Sequence, residues 1–134
     1  MKNIALLSGL LICLGAPAVA QEEVDNQYVQ QAIGRGKQYL VVFFKEGPNK
    51  DTSPEDMEKV QEAHLKYLFT LNKQGRLPIF GPFFNSGELR GLCIFNSNNQ
   101  EEVKQWMDAD PHVKAGHLTY EINTWFSIPG SALP

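Results

Sequence analysis

Hydrophobic and polar positions alternate in several distinct rhythms along this chain. Tyr39-Leu40-Val41-Val42-Phe43-Phe44 is a continuous apolar run rich in β-branched and aromatic residues, too short for a core helix and suited to a buried strand. After the turn Gly47-Pro48-Asn49, the segment Ser53-Pro54-Glu55-Asp56 puts a hydroxyl at an N-cap, a proline at N1 and acids in the first turn, so a helix starts there. Its apolar stripe, Met57, Val60, His64, Tyr67, Leu68 and Leu71, follows the 3.6-residue period, and Gly75 is a natural C′ residue.

Residues 77–84 (LPIFGPFF) read as a second strand. Pro78 and Pro82 cannot donate to a ladder, which places it at a sheet edge. Asn85-Ser86-Gly87 turns the chain and Leu89–Phe95 returns as a hairpin partner. Ser97 or Asn98 then caps a shorter helix with Val103, Trp106 and Met107 on its inner side. Asp110-Pro111 ends it, because a residue before proline is pushed out of the α region. In the last strand Leu118, Tyr120, Ile122, Thr124 and Phe126 alternate with His117, Thr119, Glu121, Asn123 and Trp125.

The order β-α-β-β-α-β predicts an α+β, ferredoxin-like fold: a four-stranded antiparallel sheet with both helices on one face and the second and fourth strands at its edges. The first strand is apolar on both sides, Tyr39, Val41 and Phe43 against Leu40, Val42 and Phe44. Two short helices cover one face, so a second sheet is needed for the other, and a homodimer is the commonest way to supply it.

The termini change the picture. Residues 1–20 have a positive Lys2, an apolar stretch from Ile4 to Leu14 too short to span a bilayer, and the small-x-small pattern Ala18-Val19-Ala20, the anatomy of a cleavable secretory signal. The expected location is therefore periplasmic or secreted, with no membrane attachment after cleavage. Residues 21–37 form a polar arm with weak helical spacing that closes on Gly34-Arg35-Gly36, read as a flexible joint; residues 38–128 form the globular domain and 129–134 a loose tail. Cys13 leaves with the signal and Cys93, inside an apolar run, is expected to be a small buried hydrophobe. With 12 basic against 15 acidic residues and a net charge of -3, the chain has no basic stripe for nucleic acid.

Nucleotide-binding and serine-hydrolase motifs are absent, and His112 and His117 stand in no recognised metal-ligand spacing. Neither a metal nor an organic cofactor is expected. His64 interrupts an apolar helix face where Leu or Met would pack without a hydrogen-bond partner. Its plainer assignment is a satisfied core residue, and that of Asp110 is a cap followed by proline. Alternatively, Asp110 reaches His64 across the fold, fixes its tautomer and leaves the other ring nitrogen to move a proton. Phe80 and Trp106 belong to an aromatic set able to line an apolar pocket, and Gly81-Pro82 lets another group approach the backbone closely.

Taken in order, His64-Leu65-x-x-Leu68, Gly75-Arg76-Leu77 leading to Gly81-Pro82, Trp106-x-x-Ala109-Asp110-Pro111 and Ala115-Gly116 resemble the YCII-related family across residues 39–128. The resemblance implies a dimeric α/β barrel and an active-site pair carried by His64 and Asp110; the substrate pocket is expected at the residues singled out above, Phe80, Gly81, Pro82 and Trp106. It also implies lyase- or isomerase-type acid/base chemistry on a small cyclic or aromatic molecule. Gln61 departs from the family pattern, standing where many members carry an arginine. The alternative is a non-catalytic dimer that binds a small ligand or is purely structural.

Overall fold

A computed structural model describes residues 24–84 and 87–134. The signal segment 1–20, the start of the arm, and Asn85 and Ser86 of the hairpin turn lie outside the described residues. No helix among those described is long and apolar enough to cross a membrane.

The domain is built from β1 (Lys37–Glu46), α2 (Pro54–Lys73), β2 (Ile79–Pro82), β3 (Leu89–Phe95), α3 (Gln100–Asp108), the single turn α4 (Pro111–Lys114) and β4 (Leu118–Ser127), preceded by α1 (Asn26–Gly34). The strands form one four-stranded sheet in the order β2-β3-β1-β4, and every pairing is antiparallel. Prolines at both ends hold β2 to four residues at its edge. β1, apolar on both sides, lies in the interior between β3 and β4.

Leu40, Val42 and Phe44 of β1 point into the core with Cys93 and Phe95 of β3, meeting Leu68 and Leu71 of α2 and Val103 and Met107 of α3. Burying such side chains stabilises by about 1.5–3 kcal/mol each. Leu118, Tyr120 and Ile122 of β4 pack against the same cluster, the inward set that the alternation predicts. On the opposite face Tyr39, Val41 and Phe43 pair with Trp125, Ile94 and Leu92. Val41 on that side is buried as well.

The caps show why the helices start where they do. Ser53 Oγ accepts the Asp56 N–H at 3.1 Å, with Pro54 at N1, and Gly75 adopts φ +72 beyond the far end of α2. α3 is capped by Asn99 rather than Ser97 or Asn98: Asn99 Oδ1 accepts from the N–H groups of Glu101 and Glu102, while Ser97 Oγ accepts from the Asn99 N–H. Gly36 is a packed position instead of a free joint, since a Cβ there would fall 1.9 Å from the Phe126 ring. Ser131, Ala132 and Leu133 of the tail line a small surface hollow beside Pro78, Ile79 and Phe80 and stay exposed.

Candidate active site

α2, the β2–β3 end of the sheet and the turn between α4 and β4 enclose a cleft of about 840 Å³. Its walls are apolar: Phe44, Leu65, Leu68, Phe69 and Phe80, with the rings of Phe69 and Phe80 edge to face at 5.2 Å. Gly81 and Pro82 also line it. The close backbone approach expected at Gly81 occurs instead at its partner strand, where a Cβ on Gly91 would lie 3.2 Å from the Gly81 carbonyl oxygen and 3.4 Å from Phe44, whereas one on Gly81 would meet open space. At the mouth, β1 and β3 slip register between Phe44 and Lys45, a bulge beside Arg90. Arg90 Nη2 donates to Glu46 at 2.8 Å and Lys50 pairs with the same carboxylate. Lys50 first and Arg90 second hold the Glu46 carboxyl below the usual range.

The helical phase that buries Leu68 and Leu71 also buries His64, which is 8% exposed. Asp110 is fully buried and lies 46 residues further on, where α3 has ended and Pro111 begins α4. His64 Nδ1 donates to both carboxylate oxygens, at 2.9 and 2.7 Å. The same carboxylate accepts the N–H groups of His112 at 2.8 Å and Val113 at 3.3 Å. Asp110 is thus a cap and the partner of His64 at once, and the two readings of that residue are complementary. With the Nδ1 hydrogen held by the carboxylate, the neutral ring carries its lone pair on Nε2.

Position and burial suit His64 to move a proton, and so does the company it keeps. His112 stacks edge-on against His64, ring centroids 4.9 Å apart, and burial, with the His64 and His117 rings beside it, pushes the His112 pKa down to about 4 against the opposing pull of Asp110. His112 Nε2 donates to Gln61 Oε1 at 2.7 Å, His117 Nδ1 lies 3.2 Å from His112 Nδ1, and Thr52 Oγ1 lies 2.7 Å from His117 Nε2. Sequence reasoning weighed these two histidines only as metal ligands. The signal available was their placement on either side of Gly116, which at φ +75 folds the turn that brings the rings together. Among the described residues no three His, Cys, Asp or Glu side chains are grouped to hold a metal ion.

The α4–β4 turn is fastened by the loop after β1. Gly47 N–H donates to the His117 carbonyl at 2.7 Å, and Asn49 N–H to that of Gly116 at 2.9 Å. A Cβ on Gly47 would come within 2.2 Å of the Gly116 carbonyl oxygen, so the approach requires glycine. Cys93, at the back of the cleft, is buried, which raises its thiol pKa well above the ordinary range, with the Asp110 charge adding to the effect.

Trp106 is a correction. It does not line the cleft; its ring packs against Phe95 at 5.5 Å and under Arg76 at 5.0 Å, and its carbonyl accepts the Tyr67 hydroxyl at 2.9 Å. The α3 phase that turns Val103 and Met107 into the core carries Trp106 to the side of α2 away from the site.

A family model described as YCII-related domain matches residues 39–126. No curated protein matches significantly. Among solved structures, a 5-chloro-2-hydroxyhydroquinone dehydrochlorinase from Burkholderia phenoliruptrix AC1100, in complex with 2,5-dihydroxybenzoquinone, is similar at 22% identity and a TM-score of 0.51, over 65% of this chain and 92% of that one. Muconolactone isomerase is similar at 12% identity and a TM-score of 0.54, over 72% of this chain and 96% of that one. At these identities the likeness is one of fold.

Proposed function

This chain belongs to the YCII-related domain family, and from that premise we propose that it is an acid/base catalyst of the lyase or isomerase type, acting on a small cyclic or aromatic molecule held in the cleft. The observation that carries the reading is the contact of His64 Nδ1 with both oxygens of the fully buried Asp110. It leaves Nε2 as the proton-moving atom of a side chain that lines an apolar cavity. Asp110 orients the ring and fixes its tautomer. Phe44, Phe69 and Phe80 supply the walls for a flat ring and keep water from it. The solved dehydrochlorinase and isomerase, which share the fold and whose names describe small cyclic substrates, support this choice of substrate class.

The working unit is a homodimer, in which a second copy covers the sheet face of Tyr39, Val41, Phe43 and Trp125. The apolar character of that face supports this, and sedimentation equilibrium tests it, since a clean monomer would leave the face bare. The chain is exported through residues 1–20, which N-terminal sequencing of the mature protein checks.

Ring-proton exchange of 2,5-dihydroxybenzoquinone in D2O, followed by NMR, tests the chemistry. The wild type should accelerate exchange, whereas His64→Phe should leave it at the buffer rate. Equal acceleration by both proteins would refute the role of His64.

A further inference from the structure

Gln61 has no part in the pair just described, yet it stands one helical turn before His64 on α2 and lines the same cleft. Its orientation is imposed from a distance. Gln61 Oε1 is an acceptor only, so the hydrogen of neutral His112 sits on Nε2. His112 Nδ1 is then an acceptor, which makes His117 Nδ1 the donor of the bond between the rings. His117 Nε2 in turn accepts from the Thr52 hydroxyl. With neutral rings these bonds are mutually consistent and hold the Gln61 carbonyl against His112. The amide Nε2, with two N–H donors, is turned away from that bond and takes no partner among the described residues. Gln61 itself is exposed and lines the cleft beside the apolar walls of Phe44, Leu65, Leu68 and Phe69.

We propose that Gln61 is a further catalytic residue, whose amide N–H group binds a substrate oxygen that turns negative as His64 removes a proton from a neighbouring carbon, with His112, His117 and Thr52 as its positioning residues. This rests on the acid/base reading and narrows the substrate to a cyclic compound with a C–H bond next to a carbonyl, or conjugated to one. The lone pair on His64 Nε2 takes the proton. The C–H electron pair forms the new C=C bond, and the C=O π pair moves onto oxygen, where the Gln61 N–H meets the enolate. The pair then returns from oxygen to re-form C=O, and the C=C pair either takes the proton back from His64 at another, conjugated carbon or expels a leaving group on the adjacent carbon, which departs with its bonding electrons while His64 gives its proton to that group or to water. A neutral donor suits this reaction, because it gains most from an oxygen that is neutral before the step and anionic after it.

The probe is 4-nitrophenol, whose oxygen mimics that of the enolate and whose two charge states differ in colour. Wild-type protein should bind it as the phenolate, and the Gln61 side-chain amide protons should move downfield in 1H–15N spectra. Gln61→Leu should weaken phenolate binding by about tenfold or more, the effect of losing a hydrogen bond to a charged oxygen, while remaining folded at the assay temperature. His112→Phe should weaken it by a smaller factor while leaving the phenolate able to bind Gln61. The proposal is overturned if wild type does not bind the phenolate, if Gln61→Leu binds it equally well, or if the Gln61 amide signals stay still. Deuterium exchange that is lost in His64→Phe but intact in Gln61→Leu would overturn the amide's role and keep the acid/base pair. Phenolate binding through Gln61 with no exchange by the wild type would overturn the pair, and with it the catalytic role of Gln61.

Discussion

Replacing Asp110 by alanine removes a helix cap and the partner of a buried imidazole at one point. The cap consists of the hydrogen bonds from His112 and Val113 N–H, and such caps contribute about 1 kcal/mol. The bond to His64 Nδ1 involves a charged acceptor and is worth about 2 kcal/mol, since its loss leaves a buried donor unpaired. Asp110→Ala should therefore lose about 3 kcal/mol, and with a urea m-value of about 1.5 kcal/mol/M the unfolding midpoint should fall by about 2 M. Asp110→Asn keeps an oxygen for the cap but offers His64 an amide N–H₂ group where an acceptor stood. Facing that N–H₂ group at the nearer Oδ2 position, the ring should place its hydrogen on Nε2, so Asp110→Asn should lose only about 1 kcal/mol while exchanging the His64 tautomer, which 15N NMR reads directly. Activity should vanish in both variants. The reasoning is refuted if alanine and asparagine are equally stable, or if the tautomer survives in the asparagine variant.

The depressed pKa of His112 has a signed consequence. As pH falls through 6.5 the unfolded chain takes up a proton, while the native ring, facing His64, His117 and Asp110, stays neutral down to about 4; stability is lost across that window. Urea titrations at several pH values should show a steeper acid loss in the wild type than in His112→Phe, and parallel curves would remove His112 as the cause. Cys93 should react with a thiol reagent only once the protein is unfolded, because burial holds its thiol protonated; rapid stoichiometric labelling of the native protein would contradict this. Gly47→Ala drives a methyl group into the Gly116 carbonyl and should lower Tm by more than about 10 °C. A melt superimposable on the wild type would refute the close approach.

The elements were legible wherever local patterns carry their own energetics. The Ser53-Pro54 start, the Gly75 stop and the alternation from Leu118 to Phe126 each reflect interactions within a few residues, and the structure follows them. The choice of Asn99 over Ser97 as cap was not legible, because adjacent polar residues compete on backbone angles that only the completed turn decides. Trp106 illustrates a second limit. The helical period shows that it faces inward, but not which of two neighbouring surfaces it meets. The His64–Asp110 pair became visible through motif order, whereas the chain from Thr52 to Gln61 joins two stretches about fifty residues apart, 52–61 and 112–117, and has no linear signature. The double role of Asp110 was hidden for a simpler reason: a capping side chain accepts through one oxygen and still has lone pairs left for a distant donor.

The pairing of β1 with β4 has a bearing on how the protein comes into being. The ladder joins Lys37 to Ser127 and Glu46 to Leu118, so the first strand in chain order is completed by the last. Pairings of such long sequence separation form slowly, because the closure of the intervening chain precedes any gain from contact. Gly47 and Asn49 fasten the turn of His112 and His117 only when β4 has docked, which puts assembly of the cleft at the end of the pathway. A nascent chain that has displayed every residue of β1 through α3 therefore has no working site, and ligand binding reports completion of the whole domain rather than of any part.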